Sequence, residues 1–125
     1  MKNKGTDIGF LTTHVLDTAR GCPAEGIQIT LLRITADYNF VRIGDGETNS
    51  DGRLAKPLLS GEDFCEGTYQ LIFHATDYLK VYFKEQAENF FLGEIPIRFI
   101  ISRAMEHYHV PLLLSPFGYS TYRGS

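Results

Sequence analysis

The sequence predicts an all-β protein, a two-sheet antiparallel β-sandwich of about eight strands with a single short helix. Three observations carry the expectation. Stretches of apolar–polar alternation recur along the chain, the period-2 pattern of strands that bury one face. Clusters of Gly, Pro, Asn and Asp divide those stretches at short intervals, as tight connections require. Only one segment carries the spacing of an amphipathic helix.

The first strand reads over residues 10–16, with Leu11, Thr13 and Val15 on one face and Thr12, His14 and Leu16 on the other. The turn "RGCPAEG" at 20–26 leads into a second alternation, Ile27, Ile29 and Leu31 against Gln28 and Thr30, which doubles at Leu31-Leu32 and ends at Ile34. A third strand covers 40–43. The stretch "GDGETNSDGR" at 44–53 then reads as a turn, with Asp51-Gly52 supplying hairpin geometry. "LLSGEDFCEG" at 58–67 reads as another turn, and 69–74 as the next strand. In "TDYLKVYFKEQAENF", Tyr78, Leu79, Tyr82 and Phe83 fall at i, i+1, i+4 and i+5 behind Thr76 or Asp77 as N-cap, which predicts the helix. Strands over 95–102 and 108–114 follow, and the tail "YSTYRGS" at 119–125 reads as the last.

Composition narrows the class of partner. A chain of 125 residues suits one domain, 1–125, with one core. No apolar run approaches the roughly 18 residues of a membrane span, so no membrane partner is expected. The net charge of -3 and the absence of a basic stripe argue against nucleic acid. Residues 1–7 hold two lysines, but the apolar stretch that follows is broken by Thr12, Thr13 and His14, so no secretory signal is expected. Two cysteines, Cys22 and Cys65, fall far short of a disulfide scaffold. The expectation is a cytoplasmic protein with two free thiols.

Four histidines are the main candidates for chemistry. His74 closes a strand before the helix and reads as structural. His14 lies inside a strand among threonines, and His107 and His109, two apart in "HYHV", share a strand face. Such a pair could begin a zinc site, but no cysteine pair or carboxylate cluster supplies further ligands, so no metal is expected. Arg53 ends the turn "NSDGR", and Arg123 lies in the tail. No phosphate loop, nucleophile elbow or Cys-His dyad is present. The residues alone lead to a small β-sandwich with polar strand faces.

Three blocks extend that reading. "LTTHVLDTARGCPAEGI" at 11–27, "TNSDGR" at 48–53 and "HYHVPLLLSPFGYSTYRGS" at 107–125 resemble, in order and spacing, the signatures of the 5-hydroxyisourate hydrolase family, transthyretin-related enzymes of urate breakdown. The terminal Tyr-Arg-Gly-Ser is the specific part, because hormone-carrier transthyretins lack it and lack the histidine pair. The resemblance implies a transthyretin-like (prealbumin-like) sandwich with its helix after the fifth strand, assembled as a homotetramer, a dimer of dimers with sites at the dimer–dimer interface. It implies a small-molecule substrate, 5-hydroxyisourate, hydrolysed to 2-oxo-4-hydroxy-4-carboxy-5-ureidoimidazoline without metal or organic cofactor. His14, Arg53, His109 and Ser125 match catalytic positions, and His14, Arg53, Tyr122 and Arg123 match substrate-binding ones; His107 matches no role. The tail is thus expected to line the site and to end at Ser125, leaving the cleft unblocked. On a regular strand, however, Tyr122 points opposite to Arg123 and Ser125. The alternative is a transthyretin-like carrier that binds a small aromatic ligand without turnover.

Overall fold

The computed structural model describes residues 9–86 and 89–125; residues 1–7, read above for a signal, and 87–88 of the helical stretch lie outside them. In chain order the elements are β1 (Phe10–Asp17), β2 (Cys22–Pro23), β3 (Gln28–Ile34), β4 (Phe40–Glu47), β5 (Leu59–Ser60), β6 (Gly67–His74), α1 (Thr76–Tyr82), β7 (Glu94–Ile101), β8 (His107–Ser115) and β9 (Gly118–Thr121). They form two sheets. One runs β2-β1-β8-β9, with β5 also paired to β1, and the other β4-β3-β6-β7. Every ladder is antiparallel except that between β1 and β8, which run parallel from Phe10↔His107 to Asp17↔Leu114.

Alternation decides what lies between the sheets. Along β1, Leu11, Thr13, Val15 and Asp17 are buried while Phe10, Thr12, His14 and Leu16 are partly exposed. The inward faces supply Leu11 and Val15 from β1, Leu112 and Leu114 from β8, Ile29 and Leu31 from β3, and Leu71 and Phe73 from β6, all at most 1% exposed. Each such side chain contributes roughly 1.5–3 kcal/mol relative to an exposed one. Burying this face leaves the other face of β1 and β8 free for polar groups. Asp17, the charged residue inside, accepts hydrogen bonds from the Ala19 and Arg20 backbone N–H groups and from the Tyr78 hydroxyl.

The structure departs from the sequence reading at several places. Gly44, Asp45, Gly46 and Glu47 continue β4, because they pair with β3 from Gln28↔Glu47 to Leu31↔Gly44. The doubling at Leu31-Leu32 coincides with a register shift against β4, where Ile43 is the extra residue. Neither Thr76 nor Asp77 caps α1: Ala75 holds the N-cap position without a side-chain bond, and its carbonyl accepts from the Leu79 N–H. The helix is two turns long and buries only Tyr78 and Leu79. Among the described residues six strands precede α1, four of them longer than the two-residue β2 and β5, so the helix follows a fifth strand only when one of those two short strands is left out of the count. His74 is structural as expected, bridging Thr30 Oγ1 and Glu94 Oε2. Both cysteines are free. Among the described residues no helix is long and apolar enough to cross a membrane.

Candidate active site

The parallel register of β1 and β8 brings two polar faces side by side. Thr12 lies opposite His109 and Phe10 opposite His107. Thr12 Oγ1 stands 2.8 Å from His109 Nδ1 and 2.7 Å from His107 Nε2. Phe10 stacks on the His107 ring at 4.1 Å, which fixes its plane. Behind them the Thr13 hydroxyl donates to the Val110 carbonyl inside the core and ties the two strands together.

Arg53 arrives from the turn at 49–53. The Asn49 side chain accepts from the Asp51 and Arg53 backbone N–H groups, and Gly52 N–H closes the turn on the Asn49 carbonyl. Gly52 has φ +75 and sits so close to β1 that a Cβ would lie 2.4 Å from the Val15 carbonyl oxygen, so only glycine fits. Its own carbonyl accepts from Val15 N–H. This staple places Arg53 opposite His14 as an isolated antiparallel bridge.

The tail closes the other side. In register Tyr122 lies opposite Pro111, which has no N–H to give, so the β8–β9 ladder stops at Thr121 and resumes only where Gly124 N–H bonds the His109 carbonyl at 2.7 Å. The resulting cleft, of about 450 Å³, is lined by Thr12, His14, Arg53, His109, Tyr122 and Ser125, with residues 54–57 and Lys56 among them as a wall. His107 and Gly124 also border it.

Burial sets the electrostatics. It holds His14 below the ordinary imidazole range, helped by the Arg53 charge, while the Asp51 backbone and carboxylate work the other way. Burial likewise lowers His109, aided by Arg53, His107 and His14. Both rings are therefore neutral at pH 7 and able to accept a proton. Their centroids lie 6.2 Å apart, close enough for both rings to reach one small group in the cleft. Among the described residues no carboxylate pairs with the Arg53 guanidinium, and no three His, Cys, Asp or Glu side chains gather as metal ligands.

Of the expected site residues, His14, Arg53, His109, Tyr122 and Ser125 meet at this cleft, and Arg123 does not. Strand alternation turns its side chain to the opposite face, where it binds Glu106 Oε1 at 3.0 Å and the His107 carbonyl at 3.1 Å and lies 4.0 Å over the Tyr108 ring. Sequence reasoning missed Thr12, the wall at 54–57 and Gly124. A Cβ on Gly124 would approach His109 Cδ2 to 2.6 Å, a contact that no local pattern announces.

A two-sheet sandwich that gathers two imidazoles, and an arginine without a carboxylate partner among the described residues, in one outward cleft defines a small-molecule-binding protein equipped for acid–base chemistry. Sequence comparison makes this specific: the chain belongs to the HIUase/Transthyretin family, whose model matches residues 11–124. It is 54% identical over 117 residues to 5-hydroxyisourate hydrolase 2 of Rhizobium meliloti, covering 94% of this chain and 97% of that one. It is 51% identical to 5-hydroxyisourate hydrolase of Pseudomonas aeruginosa, covering 94% and 93%. Among solved structures, (S)-allantoin synthase superimposes with a TM-score of 0.86 at 45% identity over 96% of this chain, which spans only 45% of that longer one. Klebsiella pneumoniae 5-hydroxyisourate hydrolase matches at 0.75 and 30% identity, covering 94% and 100%. Sea bream transthyretin in complex with thyroxine matches at 0.77 and 29%, covering 91% and 93%.

Proposed function

We propose that the protein hydrolyses 5-hydroxyisourate to 2-oxo-4-hydroxy-4-carboxy-5-ureidoimidazoline, a step of urate breakdown, in the cleft between β1, β8, the 49–53 turn and the tail. The observation that carries the reading is the meeting in one cleft of the His14 and His109 imidazoles and the Arg53 guanidinium, which no carboxylate pairs among the described residues. Water adds to a ring carbonyl, the ring C–N bond breaks, and the proton taken from water passes to the leaving nitrogen. His14 and His109 orient and deprotonate the water. Arg53 stabilises the oxygen on which negative charge develops, and Tyr122 and Ser125 supply donors that hold the ring. Arg123 acts indirectly, clamping the tail through Glu106 and Tyr108 so that Tyr122 and Ser125 stay in place.

Support comes from two further sources. Two relatives that carry the hydrolase name are 54% and 51% identical over nearly the whole chain. The cleft lining carries imidazoles, a guanidinium and hydroxyls beside its apolar wall, where a carrier for an aromatic ligand would be largely apolar throughout. The reading includes one domain over 1–125, a cytoplasmic location, and a homotetramer built as a dimer of dimers. For the assembly, β7 and β9 leave sheet edges unpaired in the single chain, with Ile100 and Tyr119 exposed along them.

The test is direct. Freshly generated 5-hydroxyisourate is added to the protein and its ultraviolet decay is followed against the spontaneous rate. Acceleration is expected; binding without acceleration would leave a carrier.

A further inference from the structure

One hydroxyl oxygen lies between two imidazoles at the edge of this cleft. Thr12 Oγ1 lies within hydrogen-bond distance of His107 Nε2 and of His109 Nδ1, 2.7 and 2.8 Å away. A hydroxyl donates one hydrogen bond, so at least one ring must donate to it. The tautomers of the two histidines are therefore linked. We propose that Thr12 and His107 are positioning residues that form a proton relay behind His109, a role that rests on the hydrolytic reading above.

In the resting arrangement His109 donates its Nδ1–H to Thr12, and Thr12 donates to His107 Nε2. His109 Nε2, which has no protein partner among the described residues, is left with its lone pair available to the cleft. As the water oxygen bonds to the substrate carbonyl carbon, its proton moves to His109 Nε2, the Nδ1 proton moves to Thr12 Oγ1, and the hydroxyl proton moves to His107 Nε2. His109 ends neutral and the positive charge rests on His107. When the C–N bond breaks, His109 Nε2–H is given to the leaving nitrogen and the two relay protons return. No proton is gained or lost over the cycle of the three residues.

The energetic reason is placement. A charged His109 would be half-buried and close to Arg53 and His14, all of which oppose it. His107 is exposed in the single chain, so water solvates the charge there. Phe10, stacked flat on His107, keeps Nε2 aimed at Thr12 through the transfer.

Long-range proton–nitrogen NMR on histidine-labelled, substrate-free protein reads the tautomers without any turnover. His109 should carry its proton on Nδ1, Thr12→Val should move it to Nε2, and Thr12→Ser should leave it on Nδ1. In steady-state assays, Thr12→Val and His107→Asn should each lower kcat on the order of 10-fold or more with KM little changed, and Thr12→Ser should retain most of the rate. His107→Asn keeps an acceptor for Thr12 but cannot hold the proton, so a merely structural role would leave its rate intact. Circular dichroism confirms folding of each variant, and the exposed His107 position serves if Thr12→Val fails to fold. An Nε2 proton on His109 in the unmodified protein, or normal kcat in both Thr12→Val and His107→Asn, would overturn the relay. Absence of turnover in the unmodified protein would instead count against the hydrolytic reading, while the tautomer measurement would still decide the hydrogen-bond order.

Discussion

At the scale of single residues, Arg53 has two parts in the proposed mechanism: it would meet developing negative charge, and its field lowers both imidazoles. Arg53→Met should therefore cost on the order of 10²–10³ in kcat, the scale of losing an oxyanion donor. It should also raise the His14 and His109 pKa values, moving their NMR titrations toward the ordinary range; unmoved titrations would place the guanidinium elsewhere in solution. The same lowering links to stability. Both rings bind a proton more weakly folded than unfolded, so stability is fully present above the unfolded value of 6.5 and is lost as pH falls toward the lowered folded values. The melting temperature should fall over that acid window and the loss should shrink in His14→Gln. Gly124→Ala tests packing: the added Cβ meets the His109 ring, so activity should fall with the melting temperature little changed. Arg123 shows the limit of reading residues from sequence. Alternation revealed that Tyr122 and Arg123 face opposite ways, but which of them faces the cleft depends on the register with β8, which no local pattern carries.

Among the elements, the 49–53 turn does most to place the site. Gly52→Ala demands a left-handed backbone from a residue with a Cβ and a 2.4 Å approach to Val15, so it should destabilise by more than about 1 kcal/mol and detach Arg53 from His14. Chemical denaturation and turnover measured together check this, and equal loss is expected in neither: activity should fall further than stability. The principal strands were legible because one face is buried and the other is not, as β1 shows residue by residue. The rest was hidden for identifiable reasons. β2 and β5 are two residues long and carry no period, β4 runs through glycines that mimic a turn, and α1 takes its cap from an alanine that offers no side-chain signal. The two-histidine face of β8 was visible in "HYHV", whereas its connection to Thr12 needed β1 in register beside it.

For the whole molecule, the proposed tetramer predicts that activity follows assembly. Sedimentation velocity at assay concentration should show four chains, and dilution to smaller species should lower specific activity; a fully active monomer would contradict this. The parallel ladder between β1 and β8 has a further consequence, for time. Its two strands come from opposite ends of the described chain, with partners 97 residues apart in sequence, while β3, β4, β6 and β7 pair through far shorter separations. Closing so long a loop is entropically costly and its contacts are rewarded late, so folding should proceed from the antiparallel sheet outward. Refolding from denaturant should show strand signal in the far ultraviolet ahead of recovered turnover, because the cleft is complete only when the eighth strand and the tail beyond it have met the first.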